Sequence, residues 1–462
     1  MFGTARSAIL QSRSPWAPSL GRYLRGPEDF GDKLLYNGER NILLFGPNGS
    51  GKGTRFLMPN LLQMEDCSIV VIDPKGELAA VTAKYRATIG EVVIINPFGV
   101  LTGVEEYEDL ESDGFNPLRG LNPASPYFNA DASWLAEALV TVEGKDPHWD
   151  RSARKLVAGL IMWVRMKYGE DAHLGQVREL LTEPTIEARE GKAGEGIPYT
   201  AMAMMKSKLP ALRQKAGQFV RTGGEVASIV SSADTQTEAL DDAEIATDLR
   251  KPGIDFREMK KRPITVYLIL LPDMMDRHAR WLRMLISTAL RGVLSPRQHG
   301  DKQVFYFLDE FAALGHLSII ETTWALVRGD GIQLVPVFQD INQLRALYQK
   351  RAETFIAQAG AVLAFGPNDL ETADWMSRRA GERTELLKGY SQSLTEPLGQ
   401  ESMNYSQMKA PTLRGHDLFD TPDGHAYAWI ANMANHVPVY VPAYYEIGEC
   451  KKLARANPYY GG

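Results

Sequence analysis

Nine residues constrain this chain more than any others. Gly46-Pro47-Asn48-Gly49-Ser50-Gly51-Lys52-Gly53-Thr54 follow a short apolar run at 42–45 and lead directly into 55–62, whose composition suits the start of a helix. Strand, glycine loop, lysine and helix in that order predict a phosphate cradle. Glycines let successive backbone N–H groups converge on phosphate oxygens, the helix N-terminus adds partial positive charge, and Lys52 reaches the outer phosphates. A glycine-rich turn with an incidental lysine would leave the placement after a buried strand a coincidence. One position departs from the general pattern: Gly53 follows Lys52, where a Ser or Thr hydroxyl ordinarily meets magnesium. Thr54 is the nearest replacement. A step of one residue turns a helical side chain by ~100°, so either Thr54 meets the ion or water and a distant carboxylate hold it.

The chain around this loop has a consistent texture. Almost wholly apolar runs at 42–45, 69–72, 92–95, 265–271, 305–308, 334–338 and 361–365 read as buried parallel strands. From about 121 to 224 apolar residues recur at helical spacing instead, as in Trp134, Leu135, Ala138 and Leu139, then Leu156, Leu160 and Trp163. The expectation is an α/β fold with a largely parallel sheet, residues 41–120 and 225–462, interrupted by an all-α domain at 121–224. Residues 1–40, with Pro15, Pro18, Pro27 and several arginines but no clear period, read as an N-terminal extension. Residues 382–414 are poor in aliphatic side chains and read as a long exposed connection to a last strand pair near 426–430 and 437–441.

Two predicted strands end in acids, at Asp73 and at Asp309-Glu310. One carboxylate can hold magnesium, and a second beside it can orient the water that attacks a γ-phosphate. Only the Asp309-Glu310 pair supplies both, so Asp309 is assigned to the metal and Glu310 to the water, against the alternative that both cap the helix expected from Phe311 to Leu326. The strand at 332–338 ends in Gln339, an amide suited to touching the γ-phosphate or the attacking water, or else a solvated start to the next helix. Arg328, at the end of the preceding helix, is either a favourable partner for that helix's dipole or an arginine finger projecting into a neighbouring subunit.

Composition excludes several classes. Against 57 Asp and Glu stand 51 Lys and Arg, a net charge of −6, so any DNA contact must be local. Lys206, Lys208, Arg213, Lys215 and Arg221 form such a local cluster, either a contact for DNA or a substrate protein or a solvated helix face. Two cysteines, Cys67 and Cys450, exclude a disulfide framework and a four-cysteine metal site and fit a reducing, cytoplasmic setting. The apolar runs at 156–164 and 264–271 fall well short of the ~18–20 residues a spanning helix needs. His148, His173 and His316 lack metal-ligand spacing and read as structural.

Taken together, Gly49 to Gly53 running into Met58-Pro59-Asn60-Leu61-Leu62, then Asp73-Pro74-Lys75-Gly76-Glu77, Phe115-Asn116-Pro117-Leu118, Leu308-Asp309-Glu310-Phe311 and the stretch through Gln339 resemble the TraG-type coupling proteins of conjugative and type IV secretion systems. Order and spacing match over most of 40–445, and a glycine after the lysine is a family feature. The resemblance implies a RecA-like nucleotide-binding domain that binds ATP and Mg2+ and is interrupted by an all-α domain. It also implies a homo-hexamer that receives a relaxase-bound single DNA strand or an effector protein and feeds it to the secretion channel. Carried over position by position, it gives Lys52 to phosphate, Asp309 and Glu310 to metal and water, Gln339 to sensing and Arg328 to trans-acting charge stabilisation. Many members carry a pair of membrane-spanning helices that this sequence lacks, which implies a soluble member or one docked at the inner membrane on a partner, through residues 1–30. The competing expectations are a nucleotide-gated receptor or scaffold with little hydrolysis, favoured by Gly53, and a monomeric metabolic phosphotransferase.

Overall fold

The computed structural model describes residues 14–26, 29–142, 147–187, 194–221, 223–294, 300–326, 329–392 and 401–460. The chain divides into two compact units, one of residues 1–60 and 335–451, the other of residues 61–334 and 452–462. The first unit opens with β1 (Ser19–Gly26), β2 (Asp29–Leu35) and β3 (Ile42–Phe45). The second contains β4 (Cys67–Asp73), β5 (Glu91–Ile95), β6 (Ile264–Ile269) and β7 (Gln303–Leu308). The chain returns through β8 (Ile332–Phe338) to β9 (Ala361–Phe365), β10 (Glu382–Gln392), β11 (Glu401–Pro411), β12 (His425–Ile430) and β13 (Val437–Tyr440).

In the second unit the strands lie in the order β7-β4-β6-β5, all parallel. In the first the order is β2-β1-β13-β12-β9-β3-β8, with β3 parallel to both β8 and β9 and the remaining pairs antiparallel. Strands β3, β4, β6, β8 and β9 are buried at every position. Strands covered on both faces have no solvent side to alternate toward, which is why they read as continuous apolar runs. The α/β expectation with parallel strands holds.

Between β5 and β6 the described residues hold helices, turns and one isolated bridge, Ile186 to Glu195. The central helix Pro147–Tyr168 buries Leu156, Leu160, Ile161 and Val164 and packs against Phe128–Leu139 and Gly224–Thr237. Helix Gly224–Thr237 begins where the helical domain was expected to end. Its Gln236 accepts from the Thr141 amide at 2.7 Å and donates to Asp150 at 2.8 Å, so it packs onto the helices before it. The turn signals near 224 mark a helix start. Arg178, whose Nε and Nη2 both donate to Asp241 while Nη1 donates to the Asp234 carbonyl, ties helix Leu174–Thr182 to the chain after Gly224–Thr237.

One expectation is extended and two are corrected. The N-terminal extension contains strands that its sequence did not announce: β1 and β2 form a hairpin whose first strand pairs with β13, Arg22 opposite Tyr440. Its period is hidden by register shifts and by Gly21 at φ 116, where a Cβ would lie 2.7 Å from the Tyr440 carbonyl. The stretch 382–414 is not an open connection, because β10 and β11 pair antiparallel in unbroken register from Glu382↔Pro411 to Gln392↔Glu401, a ribbon outside the main strands. Where its side chains are described, at 382–386 and 406–411, all but Ala410 are exposed or half-buried, so this part of the ribbon needs no aliphatic alternation. Finally, the helix expected from Phe311 onward is broken into a 3-10 turn, Phe311–Leu314, and a helix, Ser318–Leu326, at Gly315, whose φ of 68 is left-handed.

Candidate nucleotide-binding site

The loop after β3 is built by its glycines. Gly46 donates its N–H to the Phe338 carbonyl at 3.0 Å, which fixes the start of the loop to the neighbouring parallel strand. Gly49 and Gly51 both sit at φ +82, a conformation that side chains resist. A Cβ on Gly46 would come 2.6 Å from Ser50 Oγ and 3.3 Å from Lys52 Cγ, whereas one on Gly49 would meet nothing within 4 Å. The loop is therefore closed at its base and open at its crown. Ser50 Oγ is buried without a hydrogen-bond partner among the described residues. Lys52 is buried and turns its ammonium back over the loop, donating to the Gly46 carbonyl at 2.6 Å and the Pro47 carbonyl at 3.1 Å.

Beyond the lysine the chain enters a π-helical turn, Lys52–Leu57, before the α-helix Met58–Gln63. Pro59 explains the widening: it has no N–H for the turn before it, and its ring crowds that turn. Thr54 Oγ1 lies 3.4 Å from the Gly51 carbonyl, so its hydroxyl is directed along its own loop.

These features fit a phosphate-bearing ligand. An open crown of glycine amides, an orphaned hydroxyl and a lysine held only one loop-width away are the groups that phosphate oxygens require. For magnesium, the described residues contain no cluster of three or more His, Cys, Asp or Glu side chains. A magnesium–nucleotide needs only one or two carboxylates, because phosphates and water supply the other ligands.

In the second unit, β4 and β7 are neighbours, Ile72 opposite Leu308, so the two acid-bearing strand ends lie side by side. They differ in state. Asp73 is fully buried and accepts from the Ala79 N–H at 2.8 Å, with Gly76 in the left-handed region completing the turn. Burial pushes its carboxyl up to about 7, against the amide bonds that would lower it. Asp73 is committed to shaping the turn into helix Glu77–Ile89. Asp309 is partly exposed and accepts the Glu310 N–H at 3.0 Å. Glu310 stands at φ 46, ψ 41, left-handed for a residue with a full side chain, and makes no side-chain capping bond to the turn that follows. The plain helix-cap alternative is therefore weak for Glu310, and a strained, partly exposed acid at a strand end is a feature associated with function.

Gln339 follows β8, one strand over from β3, and its N–H donates to Gln343 Oε1 at 2.9 Å, while Asp340 caps helix Ile341–Tyr348. The lysine loop and Gln339 thus leave the carboxyl ends of adjacent parallel strands, the usual place for ligands in such sheets. Arg328 lies outside the described residues. The basic cluster is not one face: Lys206, Lys208 and Arg221 are exposed, whereas Lys215 turns inward to Ser133 Oγ at 3.1 Å and burial lowers its pKa. His148 and His316 lie on the surface, 3.2 Å from Glu225 and 3.4 Å from Glu321. No helix among the described residues is long and apolar enough to cross a membrane.

One residue had no role in the sequence reading. Arg55, buried one turn beyond Lys52, donates to the Val441 carbonyl at 3.1 Å and to Glu446 at 3.2 Å and is ion-paired with Asp423. Nothing in the local pattern singles it out, because its partners lie more than 360 residues away in sequence.

The chain is similar in sequence and in fold to known proteins. The chain is 26% identical over 440 residues to the conjugal transfer protein TraG of Escherichia coli, covering 87% of this chain and 65% of that protein. It is 23% identical over 404 residues to the protein VirD4 of Agrobacterium fabrum, covering 84% of this chain and 56% of VirD4. The chain thus spans somewhat under two thirds of the length of these relatives. In fold it is similar to the bacterial conjugative coupling protein TrwBdeltaN70, with a TM-score of 0.65 at 16% identity over 95% of this chain and 91% of the other. It is also similar to the plasmid coupling protein TrwB in complex with ADP and Mg2+, with a TM-score of 0.63 at 15% identity over 96% and 92%. Residues 6–452 match the family described as type IV secretory system conjugative DNA transfer, and the chain belongs to that family.

Proposed function

We propose that this chain is an ATP-driven coupling protein that receives a relaxase-bound single DNA strand or an effector protein and delivers it to a type IV secretion or conjugation channel. The observation that carries the reading is the loop 46–54, with its left-handed glycines at 49 and 51, its orphaned Ser50 hydroxyl and Lys52 folded over it. In this reading Gly46 to Thr54 hold the phosphates and Lys52 neutralises the outer ones. Asp309, with Thr54, holds magnesium. The ion, when bound, offsets charge on the phosphates. Glu310 orients and deprotonates the attacking water, Gln339 contacts the γ-phosphate, and Arg328 reaches the neighbouring subunit of a homo-hexamer. The nucleotide complexes described for TrwB support ATP and Mg2+ as ligands. The helices between Phe128 and Asp248 are the substrate-facing or regulatory domain, and the chain works on the cytoplasmic side, peripheral to the inner membrane.

The test is the ATPase rate with and without single-stranded DNA, for wild type and Glu310→Gln. The reading expects a rate that rises with DNA and collapses in the variant. A rate indifferent to both would remove the motor. A second reading, a receptor that binds nucleotide to assemble but turns it over little, is favoured by Gly53 and by the Thr54 hydroxyl directed at the Gly51 carbonyl. It predicts tight nucleotide binding with turnover near background in wild type.

A further inference from the structure

The side chain of Arg55 runs alongside the last peptide of the phosphate loop. A Cβ on Gly51 would lie 2.8 Å from Arg55 Cδ and 3.0 Å from its Cγ, so the arginine stem fills the space that glycine leaves. The Arg55 N–H donates to the Gly51 carbonyl at 2.7 Å, which ties the same residue to the loop through its backbone. The far end of the side chain fills a second glycine's space: a Cβ on Gly424 would lie 2.8 Å from Arg55 Nη1. There the guanidinium meets Asp423, just before β12, and the Val441 carbonyl and Glu446, just after β13.

Glu446 is itself held in place. Its Oε2 accepts from the Tyr440 hydroxyl at 2.7 Å and from the Ala443 N–H at 3.0 Å. Burial alone would lower the Arg55 pKa, but Glu446 first and Asp423 second outweigh it, and the guanidinium is held above its ordinary range. A planar fork bonded to two acids and a carbonyl has little freedom to rotate. Asp423 is 76% exposed and Glu446 32%, so the less screened Glu446 is the stronger anchor.

We infer that Arg55 is a positioning residue for the phosphate loop, clamping the Gly51 end of the cradle to the β12–β13 hairpin through Glu446, so that nucleotide affinity depends on an ion pair that touches no nucleotide. The inference rests on the nucleotide reading of the loop. Breaking the clamp frees the Gly51 peptide and the first helical turn, which together aim the amides and Lys52.

The experiment measures the affinity of a fluorescent ATP analogue with Mg2+, together with the unfolding midpoint of the nucleotide-free protein. It compares wild type, Lys52→Ala, Arg55→Gln, Glu446→Gln and the double variant Arg55→Gln/Glu446→Gln. The expected result is a loss of about 10-fold in affinity for each single clamp variant, with the double variant no worse than the weaker single, because both break one connection. Glu446→Gln carries the test should Arg55→Gln fail to fold. If wild type binds, Lys52→Ala does not, and Glu446→Gln binds like wild type with only a lowered unfolding midpoint, the pair is merely structural and the inference falls alone. Fully additive losses in the double variant would also overturn it. If wild type does not bind, the nucleotide reading and the inference fall together.

Discussion

The backbone N–H of Gly46 donates to the carbonyl of Phe338 at 3.0 Å, joining the first residue of the phosphate loop to the last residue of the strand that leads into Gln339. Strands β3 and β8 are in register there, Phe45 opposite Phe338, so two chain segments almost 300 residues apart leave their sheet together. A side chain at 339 is thereby held at a fixed offset from the loop. Gln339→Ala should lower kcat by about 10²-fold, the usual effect of removing one group that acts on developing charge, with nucleotide affinity little changed. Single-turnover ATP hydrolysis beside equilibrium binding would show the split, and a parallel loss of both would assign Gln339 to ground-state binding.

The left-handed backbone of Glu310 makes a prediction in two opposite directions. Glycine tolerates φ 46 without penalty, so Glu310→Gly should leave the unfolding free energy equal or higher by up to about 1 kcal/mol while abolishing turnover. Denaturant melts beside ATPase assays test this. Lowered stability would mean that the side chain, and not function, sets the conformation.

Gly46 and Gly49 should respond differently to alanine. At Gly46 the new Cβ would lie 2.6 Å from Ser50 Oγ and 3.3 Å from Lys52 Cγ, forcing the cradle to move. At Gly49 it would enter open space and face only the strain of φ +82, worth roughly 1 kcal/mol. Nucleotide binding should therefore fall by more in Gly46→Ala than in Gly49→Ala, as titration calorimetry would show.

Asp73 should make stability depend on pH. Its folded pKa, about 7, lies above the ordinary 3.8, because burial disfavours the charge. The folded state then holds a proton that the unfolded state has lost between these values. The contribution of Asp73 is fully present below about pH 4 and is lost as pH rises to 7. Asp73→Asn preserves an acceptor for the Ala79 N–H and should flatten that slope, leaving the variant at least as stable as wild type at pH 8. Urea midpoints at pH 5 and 8 would decide it, and an unchanged slope would assign the dependence to other groups.

The parts of the fold legible beforehand were those governed by local rules. Strands β3, β4, β8 and β9 announce themselves as almost wholly apolar runs, and the 46–54 loop by the glycines its geometry demands. The parts missed depend on distant partners. β1 is a strand because β13, more than 400 residues later, offers it an edge, and β10 is one because β11 pairs with it. The choice of Asp309-Glu310 over Asp73 rested on having two acids together. Burial and the Ala79 bond then show that Asp73 serves its own turn.

By itself the sequence determined that a strand must run into a phosphate-binding glycine loop, because steric freedom at positions 49 and 51 and the order of strand, loop and lysine are local properties. Tertiary structure alone decided which carboxylate is committed to a turn, that Glu310 takes a left-handed backbone, and that Arg55 is bound to Asp423 and Glu446. Burial and long-range hydrogen bonding arise only when segments hundreds of residues apart are packed together, and they reset the charge, conformation and partners that a side chain has in isolation.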